Sequence, residues 1–229
     1  MPVLPDIPAA EAIIVQQTNV FRAENKLPAV QSEPALAKAA RIYAQFLSAT
    51  PVFSHEADGR RPVDRIKAAG YQACSSAENL ALLGHPNGFE TLDLATRMVE
   101  GWKNSPGHRK NMLLEHVIET GVAIFKSRRE EKYFAVQLFG RPASMQYAFA
   151  VENTAGRAVT YTLGANETKI EPRMVVRHST CLPTVVTFQL KGGGLLSKAV
   201  TARYEAKGGQ VFRLTAAKGG DIVVDVSAK

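Results

Sequence analysis

The first part of the chain alternates between segments with a helical spacing of apolar residues and short runs of strand-like alternation. In the clearest segment, Ser32 precedes Pro34, and Leu36, Ala40, Tyr43 and Leu47 recur at helical steps, which predicts a helix with Ser32 as its cap. The same spacing predicts helices over Ala9–Glu24, Pro62–Ala69 and Thr91–Lys103, the last ended by Ser105-Pro106-Gly107, and alternation predicts strands over Thr120–Phe125 and Tyr133–Phe139. We therefore expect helices that flank a small antiparallel sheet.

After Pro142 the helical period disappears, and short runs rich in β-branched residues are separated by turn residues. The predicted strands are Gln146–Glu152, Val159–Leu163, Met174–Arg177, Val185–Leu190, Val200–Tyr204, Val211–Thr215 and Ile222–Val226, with turns that include Gly164–Glu167 and Gly192–Gly194. This spacing predicts a small antiparallel sandwich or barrel. The chain is thus predicted to be α+β, with an N-terminal arm over residues 1–11, a first domain over 12–142 and an all-β accessory domain over 146–229.

Composition excludes several classes of protein. The 229 residues are 45% hydrophobic and 21% charged, as in an ordinary globular protein, and no run of about 18 apolar residues exists to span a membrane. The formal net charge is +7, and residues 143–229 contribute 11 basic and 6 acidic residues to it. These cations are spread singly, which is typical of solvated faces; the alternative is an adhesive face for anionic polymers, among which nucleic acid is the least favoured because no aromatic RNA-binding motif is present.

The two cysteines and the N-terminus leave the compartment open. Cys74 and Cys181 lie in different predicted domains, and they are either one disulfide in an exported protein or two small buried residues. The segment Met1–Pro8 lacks the basic start and apolar stretch of a secretory signal. The protein is therefore either cytoplasmic or exported with its signal already removed.

Three titratable residues of the first part are candidates for chemistry: His55, Glu78 and His108. Histidine binds metals and moves protons near neutral pH, and Glu78 lies next to Asn79 inside an apolar stretch. No HExxH, CxxC, P-loop or GxSxG motif is present. Spacing alone therefore favours hydrogen-bonded structural groups over a functional site.

Taken together, these segments resemble a known family, the bacterial branch of the CAP superfamily, which includes cysteine-rich secretory and pathogenesis-related proteins. The resemblance covers residues 12–141 and says nothing about residues 145–229. The matching blocks are Phe53-Ser54-His55, Asp58-Gly59-Arg60, Ala68–Tyr71, Ala77–Ala81, Gly101–Leu113, Thr120–Ile124 and Tyr133–Gly140.

The resemblance implies an α-β-α sandwich with an open cleft lined by His55, His108 and Glu78. Many eukaryotic members carry a second glutamate about one turn after the tryptophan, where this chain has Lys103–Ser105. Two imidazoles and one carboxylate would suit Zn²⁺ or another divalent cation; the alternative is a polar cluster without an ion. The resemblance also allows a lipid or sterol ligand.

We expect an exported, secreted or periplasmic protein whose signal peptide is absent from this sequence, and which acts in binding rather than catalysis. Its partners would be a lipid or sterol, a cell-wall polymer or another protein, with no transmembrane segment. The alternative is a metal- or histidine-assisted hydrolase that uses His55, Glu78 and His108. Ser105 is a poor nucleophile candidate because residues adjacent in sequence rarely aim side chains at each other. A third reading is an interaction protein with a vestigial cleft.

Overall fold

The chain divides into two compact units in a computed structural model that describes residues 2–190 and 200–228. The first unit is Met1–Ser144 and the second is Met145–Lys229. None of the helices in the described ranges is long and apolar enough to cross a membrane. Each unit has a hydrophobic core of its own.

The first unit consists of five helices and a four-stranded sheet. Its elements are α1 (Ile7–Glu24), β1 (Gln31–Ser32), α2 (Pro34–Ala49), α3 (Pro62–Ala68), β2 (Ala73–Gly84), α4 (Thr91–Asn104), α5 (Pro106–Met112), β3 (Glu119–Lys126) and β4 (Lys132–Pro142). The sheet order is β1-β3-β4-β2, so β2 lies at an edge. β2 and β3 both pair antiparallel with β4, while the short β1 is parallel to β3.

Helices cover both faces of this sheet, which confirms the predicted α-β-α sandwich. One core includes Ile14 of α1, Trp102 of α4 and Met112 of α5 on one face. The other includes Leu36 of α2 and Ile66 of α3 on the opposite face. Burial of these apolar stripes against the sheet supplies most of the driving force for the sandwich.

Several boundaries differ from the predictions for local reasons. Helix α1 begins at Ile7, inside the predicted arm, because Asp6 caps it by accepting the Ala9 N–H at 3.1 Å. The cap of α2 is Glu33, whose carboxylate accepts the Ala35 N–H at 3.0 Å; Ser32 instead ends strand β1. The prediction of Ser32 as the cap was wrong.

The longest departure concerns β2. The sequence pattern did not predict β2, although it runs for 12 residues, because the polar Glu78 and Asn79 interrupt its apolar run. Ser105 does end α4, and the short helix that the sequence places at His108 is α5, which begins two residues earlier, at Pro106. Proline is suited to that position because its missing N–H has no partner to lose there.

The second unit is a sandwich of two four-stranded sheets, ordered β10-β9-β6-β7 and β12-β11-β5-β8. Aromatic residues from both sheets, including Phe149, Tyr161, Phe188 and Phe212, form its core. The strands are β5 (Tyr147–Asn153), β6 (Val159–Leu163), β7 (Asn166–Ile170), β8 (Val175–Thr180), β9 (Thr184–Leu190), β10 (Val200–Ala206), β11 (Gln210–Ala216) and β12 (Ile222–Ala228).

Two expectations for this unit need correction. The sandwich is not purely antiparallel, because β5 and β11 pair in parallel. The predicted turn over Gly164–Glu167 is shorter than expected, since strand β7 begins at Asn166 and pairs with β6. β7 is a mostly exposed edge strand, so its polar sequence carries no alternating apolar signal. The predicted turn Gly192–Gly194 lies outside the described residues.

Candidate functional site

His55 lies in the loop between α2 and α3, and contacts from both helices hold that loop in place. The Tyr43 hydroxyl donates to the Ser54 carbonyl and accepts the Ala57 N–H at 3.1 Å. Nη2 of Arg65 donates to the His55 carbonyl at 2.8 Å, and the Arg65 guanidinium carbon lies 3.5 Å from the centre of the Tyr43 ring. The backbone at His55 is therefore fixed by side chains that are themselves packed.

Glu78 is the centre of a buried ionic network. Its Oε1 lies 2.8 Å from Nδ1 of His55, and its Oε2 accepts from Nη2 of Arg65 at 2.9 Å. Arg65 also donates from Nη1 to Asp58 at 2.8 Å. The side chains of Glu78 and Arg65 are only 2% and 4% exposed, whereas that of His55 is 49% exposed. A rigid, buried ion pair thus orients an imidazole that faces solvent.

His108 reaches the same edge of the sheet from the opposite layer. Successive residues of a strand face opposite sides, so Glu78 and Leu80 face the layer of α2 and α3, and Asn79 faces the layer of α4 and α5. Nδ2 of Asn111, on α5, donates to the Glu78 carbonyl at 3.1 Å and to Oδ1 of Asn79 at 2.9 Å. Nδ2 of Asn79 in turn donates to the His108 carbonyl at 3.3 Å. These bonds fasten α5 to the edge strand β2.

The other end of α5 is held by a buried arginine of α1. Nη1 of Arg22 donates to the carbonyls of Met112 at 2.8 Å and Leu114 at 3.0 Å. These carbonyls need partners because the last carbonyls of a helix have none within it. Burial lowers the pKa of Arg22 from its ordinary value. The helix that carries His108 is therefore held by polar contacts at both ends.

The environments of the two histidines push their pKa values in opposite directions. The hydrogen bond to Glu78 raises the pKa of His55, and burial opposes this only in part. Burial lowers the pKa of His108, and the charge of His55 lowers it further. The two imidazoles are therefore within electrostatic range of each other. As the pH rises, His108 loses its proton first, so the site contains one protonated and one neutral imidazole over an intermediate pH range.

The structure brings His55 and Glu78 into direct contact and places His108 within electrostatic range of His55. Among the described residues, no serine, threonine or cysteine side chain makes a hydrogen bond to the ring of His55 or His108. Ser105 is adjacent to α5 but makes no capping hydrogen bond with its side chain. The sequence reasoning missed Arg65 and Asn111, since a charged residue beside the apolar Ile66 and an amide within a polar helix carry no distinctive pattern.

Metal binding would have to rest on the two imidazoles. Within residues 2–190 and 200–228, no group of three or more histidine, cysteine, aspartate or glutamate side chains is arranged to hold a metal ion. Both oxygens of Glu78 already accept hydrogen bonds from Arg65 and His55. Glu78 is therefore suited to orienting His55, which leaves Nε2 of His55 as the atom that would bind a metal. The geometry does not favour Glu78 as a third metal ligand.

Comparison with known families bears on the whole first unit. Residues 15–139 match the family model described as "CAP: Cysteine-rich secretory protein family". The chain belongs to the CAP family. The match lies within the first unit and includes His55, Glu78 and His108. The resemblance to the bacterial branch of this superfamily is confirmed.

YkwD and two solved structures are among the proteins to which this CAP protein is similar. The uncharacterized protein YkwD of Bacillus subtilis (strain 168) is 30% identical over 122 residues, which cover 53% of this chain and 44% of that protein. An outer surface protein from Borrelia burgdorferi has the same fold, with a TM-score of 0.51, 22% identity, and coverage of 58% of this chain and 92% of that one. An extracellular SCP-domain protein from Bacillus anthracis str. Ames has 25% identity and a TM-score of 0.49, with coverage of 62% and 45%. The chain thus spans less than half the length of YkwD.

Proposed function

We propose that this CAP protein is a non-enzymatic binding protein that works at the cell envelope or outside the cell, with the His55/His108 cleft as its recognition site. The observation that carries this proposal is the set of hydrogen bonds that Glu78 makes with Arg65 and His55. Both oxygens of this buried carboxylate accept hydrogen bonds from Arg65 and His55, and its side chain is only 2% exposed, so the carboxylate orients an imidazole rather than facing a ligand itself. Such an arrangement is suited to presenting a fixed donor or acceptor to a ligand.

The first ligand of the cleft is a divalent cation held by His55 and His108. In neutral His55, Nδ1–H donates to Glu78, which leaves the Nε2 lone pair available for a metal. Zn²⁺ suits two imidazoles and would complete its coordination with water. Protonated imidazole cannot bind a metal, so affinity falls as the pH decreases through the raised pKa of His55.

Calorimetric titration of Zn²⁺ tests this ligand directly. We expect saturable heat for the wild type and for a His85→Ala/His116→Ala control, and its loss in His55→Ala/His108→Ala. A Glu78→Gln variant should retain weakened binding, by about tenfold to 100-fold, because only the orienting group is changed. Equal heats for the wild type and the His55→Ala/His108→Ala variant would contradict a site at this cleft.

The second ligand class is lipid-like, and a groove beside the cleft supports it. A cavity of ≈ 390 Å³ is lined by Phe53, Leu82 and Phe134, together with the cation Arg129 and the ion pair of Lys132 with Glu130. Leu82 lies on β2 four residues after Glu78, on the same face of the strand. An apolar wall next to the Arg129 cation is suited to an amphipathic anion, such as a fatty acid or an acidic lipid.

Binding of a fluorescent fatty acid tests the groove separately from the metal site. Leu82→Asp introduces a like charge into the apolar wall, and we expect it to weaken binding of the probe by about tenfold or more. Leu92→Asp, on an exposed leucine of α4 outside the groove, is the matched control and should bind as the wild type does. Equal affinity of Leu82→Asp and the wild type would rule out this groove and leave the cation site untouched.

A hydrolase that uses the same cleft is the second candidate function, and the opposed pKa shifts of His55 and His108 favour it. A protonated His55 and a neutral His108 form a general acid and a general base, respectively. Turnover of peptide and phosphodiester substrates by the purified protein tests this role. Activity that is retained by His55→Ala/His108→Ala would belong to a contaminant, and activity lost only in that variant would replace the binding proposal.

Export is the localisation that we propose, and the cysteines support it. Cys74 and Cys181 are both disulfide-bonded, and no free cysteine is found in the described part of the chain. Disulfides persist in oxidising compartments and are rare in the cytosol. The family is itself described as secretory. Fractionation of the native host, with detection of this chain in the medium or envelope fraction, tests the proposal; recovery from the cytoplasm alone would contradict it.

A further inference from the structure

A second cavity lies within the β-sandwich unit, and its lining residues are distant in sequence from those of the CAP cleft. Its volume is ≈ 500 Å³, and it lies where the turn between β6 and β7 meets the turn between β8 and β9. Residues of both sheets line it, so it opens between the sheets at one end of the sandwich. Its volume is within the range of about 300–1,000 Å³ that is usual for small-molecule sites.

The lining of this cavity contains no aspartate, glutamate, lysine or arginine among the described residues. Phe149, Leu163, Leu182, Pro183 and Val185 form its apolar walls. The uncharged polar residues His178, Asn166, Ser179, Thr180 and Thr184 line the rest. By contrast, the trough of ≈ 440 Å³ on β5, β8 and β11 is lined by Arg177, Arg213 and Glu152. A charged ligand would lose its hydration in the uncharged cavity without a compensating partner, so a neutral molecule fits it better.

One polar side chain in the cavity is held in a defined protonation state by its neighbours. Burial lowers the pKa of His178, so the imidazole is neutral near pH 7. Its Nε2 lies 2.7 Å from the Tyr161 hydroxyl. The Tyr161 side chain is fully buried, and Nε2 of His178 is the acceptor within hydrogen-bond distance of its hydroxyl. Because a buried hydroxyl needs an acceptor for its proton, Tyr161 donates to Nε2 of His178.

The hydrogen bond from Tyr161 determines which His178 nitrogen can contact a ligand. A neutral imidazole that accepts at Nε2 carries its proton on Nδ1. Nδ1 has no hydrogen-bond partner among residues 2–190 and 200–228. The Tyr161 side chain is fully buried, and the ring of Phe149 lies 5.1 Å from that of His178, so the imidazole is held on two sides. The cavity therefore contains one oriented ring N–H donor in a lining that carries no aspartate, glutamate, lysine or arginine among the described residues.

We infer that this cavity of the β-sandwich unit binds a small, uncharged and largely apolar molecule that carries a hydrogen-bond acceptor, such as a ketone or ester oxygen, which accepts from Nδ1–H of His178. The apolar part of the lining provides affinity through burial, and the Nδ1–H donor of His178 provides orientation. This site is independent of the metal and lipid-like ligands proposed for the first unit, because its lining residues all lie within residues 149–185.

The test uses Prodan, a neutral dimethylaminonaphthalene ketone whose emission responds to polarity and to hydrogen bonding at its carbonyl. With the full chain we expect saturable binding and a blue-shifted emission. The dimethylaminonaphthalene sulfonate with the same ring system should bind at least about tenfold more weakly, because the cavity offers no cation to its charge. Absence of saturable Prodan binding, or equal affinity for the sulfonate, would overturn the inference.

Matched variants locate the binding. Val185→Trp fills the cavity from a position that is 39% exposed, and we expect it to weaken Prodan binding by about tenfold or more. Val223→Trp is the control, on an outward valine that is 41% exposed and not part of the lining. If Val185→Trp does not fold, Val185→Phe is used instead, because its smaller side chain also fills part of the cavity. Binding that is unchanged in the folded filler variant would assign Prodan to another site and overturn the inference.

The hydrogen bond itself has a separate readout. The ring Nδ1–H resonance of His178 in ¹⁵N-labelled protein should shift and become protected from solvent exchange when Prodan is bound, and the other histidines should not respond. His178→Gln identifies the resonance by its disappearance. A His178 ring signal that does not respond to saturating Prodan would refute the donor role.

Discussion

The role of Glu78 follows from its partners rather than from its residue type. The buried carboxylate of Glu78 compensates the charge of Arg65 in the interior and orients the imidazole of His55 at the surface. Removing one member of a buried ion pair is costly because the remaining charge is left without compensation. Two predictions at this scale follow from that network.

Glu78→Gln should lower the free energy of unfolding of the first unit by about 3–5 kcal/mol, because Arg65 stays buried with only Asp58 as a charged partner. Glu100→Gln, which removes an exposed pair with Lys103, should cost about 1 kcal/mol or less. Urea unfolding followed by the emission of Trp102 measures both, since this buried residue is the only tryptophan of the chain. Equal losses in the two variants would contradict a buried ionic network.

The pKa values of His55 and His108 give a second prediction. Because the folded pKa of His55 is raised, its bond to Glu78 contributes stability below the ordinary pKa of histidine, and this contribution is lost as the pH rises through the folded pKa. The pKa of His108 is lowered, so the free energy of unfolding falls as the pH decreases from the ordinary pKa of histidine to the lowered one, because the folded state resists protonation of the buried ring. NMR titration of the ring protons should show His108 titrating at lower pH than His55, with the separation reduced in Glu78→Gln. An unchanged His55 titration in that variant would argue against the assigned cause.

At the scale of elements, the strand β2 and the helix α5 form the cleft, and the sequence predicts the short helix at His108 but not the strand. The apolar spacing predicted α2 and α4 because each of them buries one face in a core. It predicted β3 and β4 because their apolar residues enter the cores on both faces of the sheet. In β2 the alternation is broken by Glu78 and Asn79, which have tertiary partners in both helical layers. When only the sequence is considered, a strand that contains such polar residues has the pattern of a loop.

The close approach of α2 to β3 gives a prediction at the same scale. A Cβ at Gly121 would lie 2.2 Å from the backbone nitrogen of Ala37, so Gly121→Ala should destabilise the first unit by about 3 kcal/mol or more. Gly101, on the exposed side of α4, has open space around it, and Gly101→Ala should stabilise the unit by about 0.5–1 kcal/mol. Urea unfolding followed by far-UV circular dichroism compares the two. Destabilisation of similar size in both would mean that the α2–β3 contact is looser than described.

At the scale of the whole molecule, the chain combines a CAP unit with a β-sandwich unit, each with its own core and its own cavity. The net charge of +7 therefore does not describe a single surface. The proposed cleft lies in the first unit, and most of the excess positive charge lies in the second.

The oxidation state of the cysteines gives a prediction for the intact chain. Protein recovered from an oxidising compartment should contain no thiol that reacts with Ellman's reagent after denaturation, because Cys74 and Cys181 are both disulfide-bonded. Reduction should then reveal two thiols per chain. Full reactivity before reduction would refute the oxidised state, and a dimer on a non-reducing gel would indicate a bond between chains.

The sequence alone determined the helical and strand periods, the change of pattern near residue 142 and the family of the first unit, because these depend on local spacing and on blocks of neighbouring residues. The spacing of apolar residues also identified most of the strands of the second unit. The tertiary structure decided what the polar residues do. Glu78 contacts Arg65 and His55 across 13 and 23 residues of chain, and His178 meets Tyr161 across 17. Such contacts form only when packing brings distant elements together, and no local pattern records them.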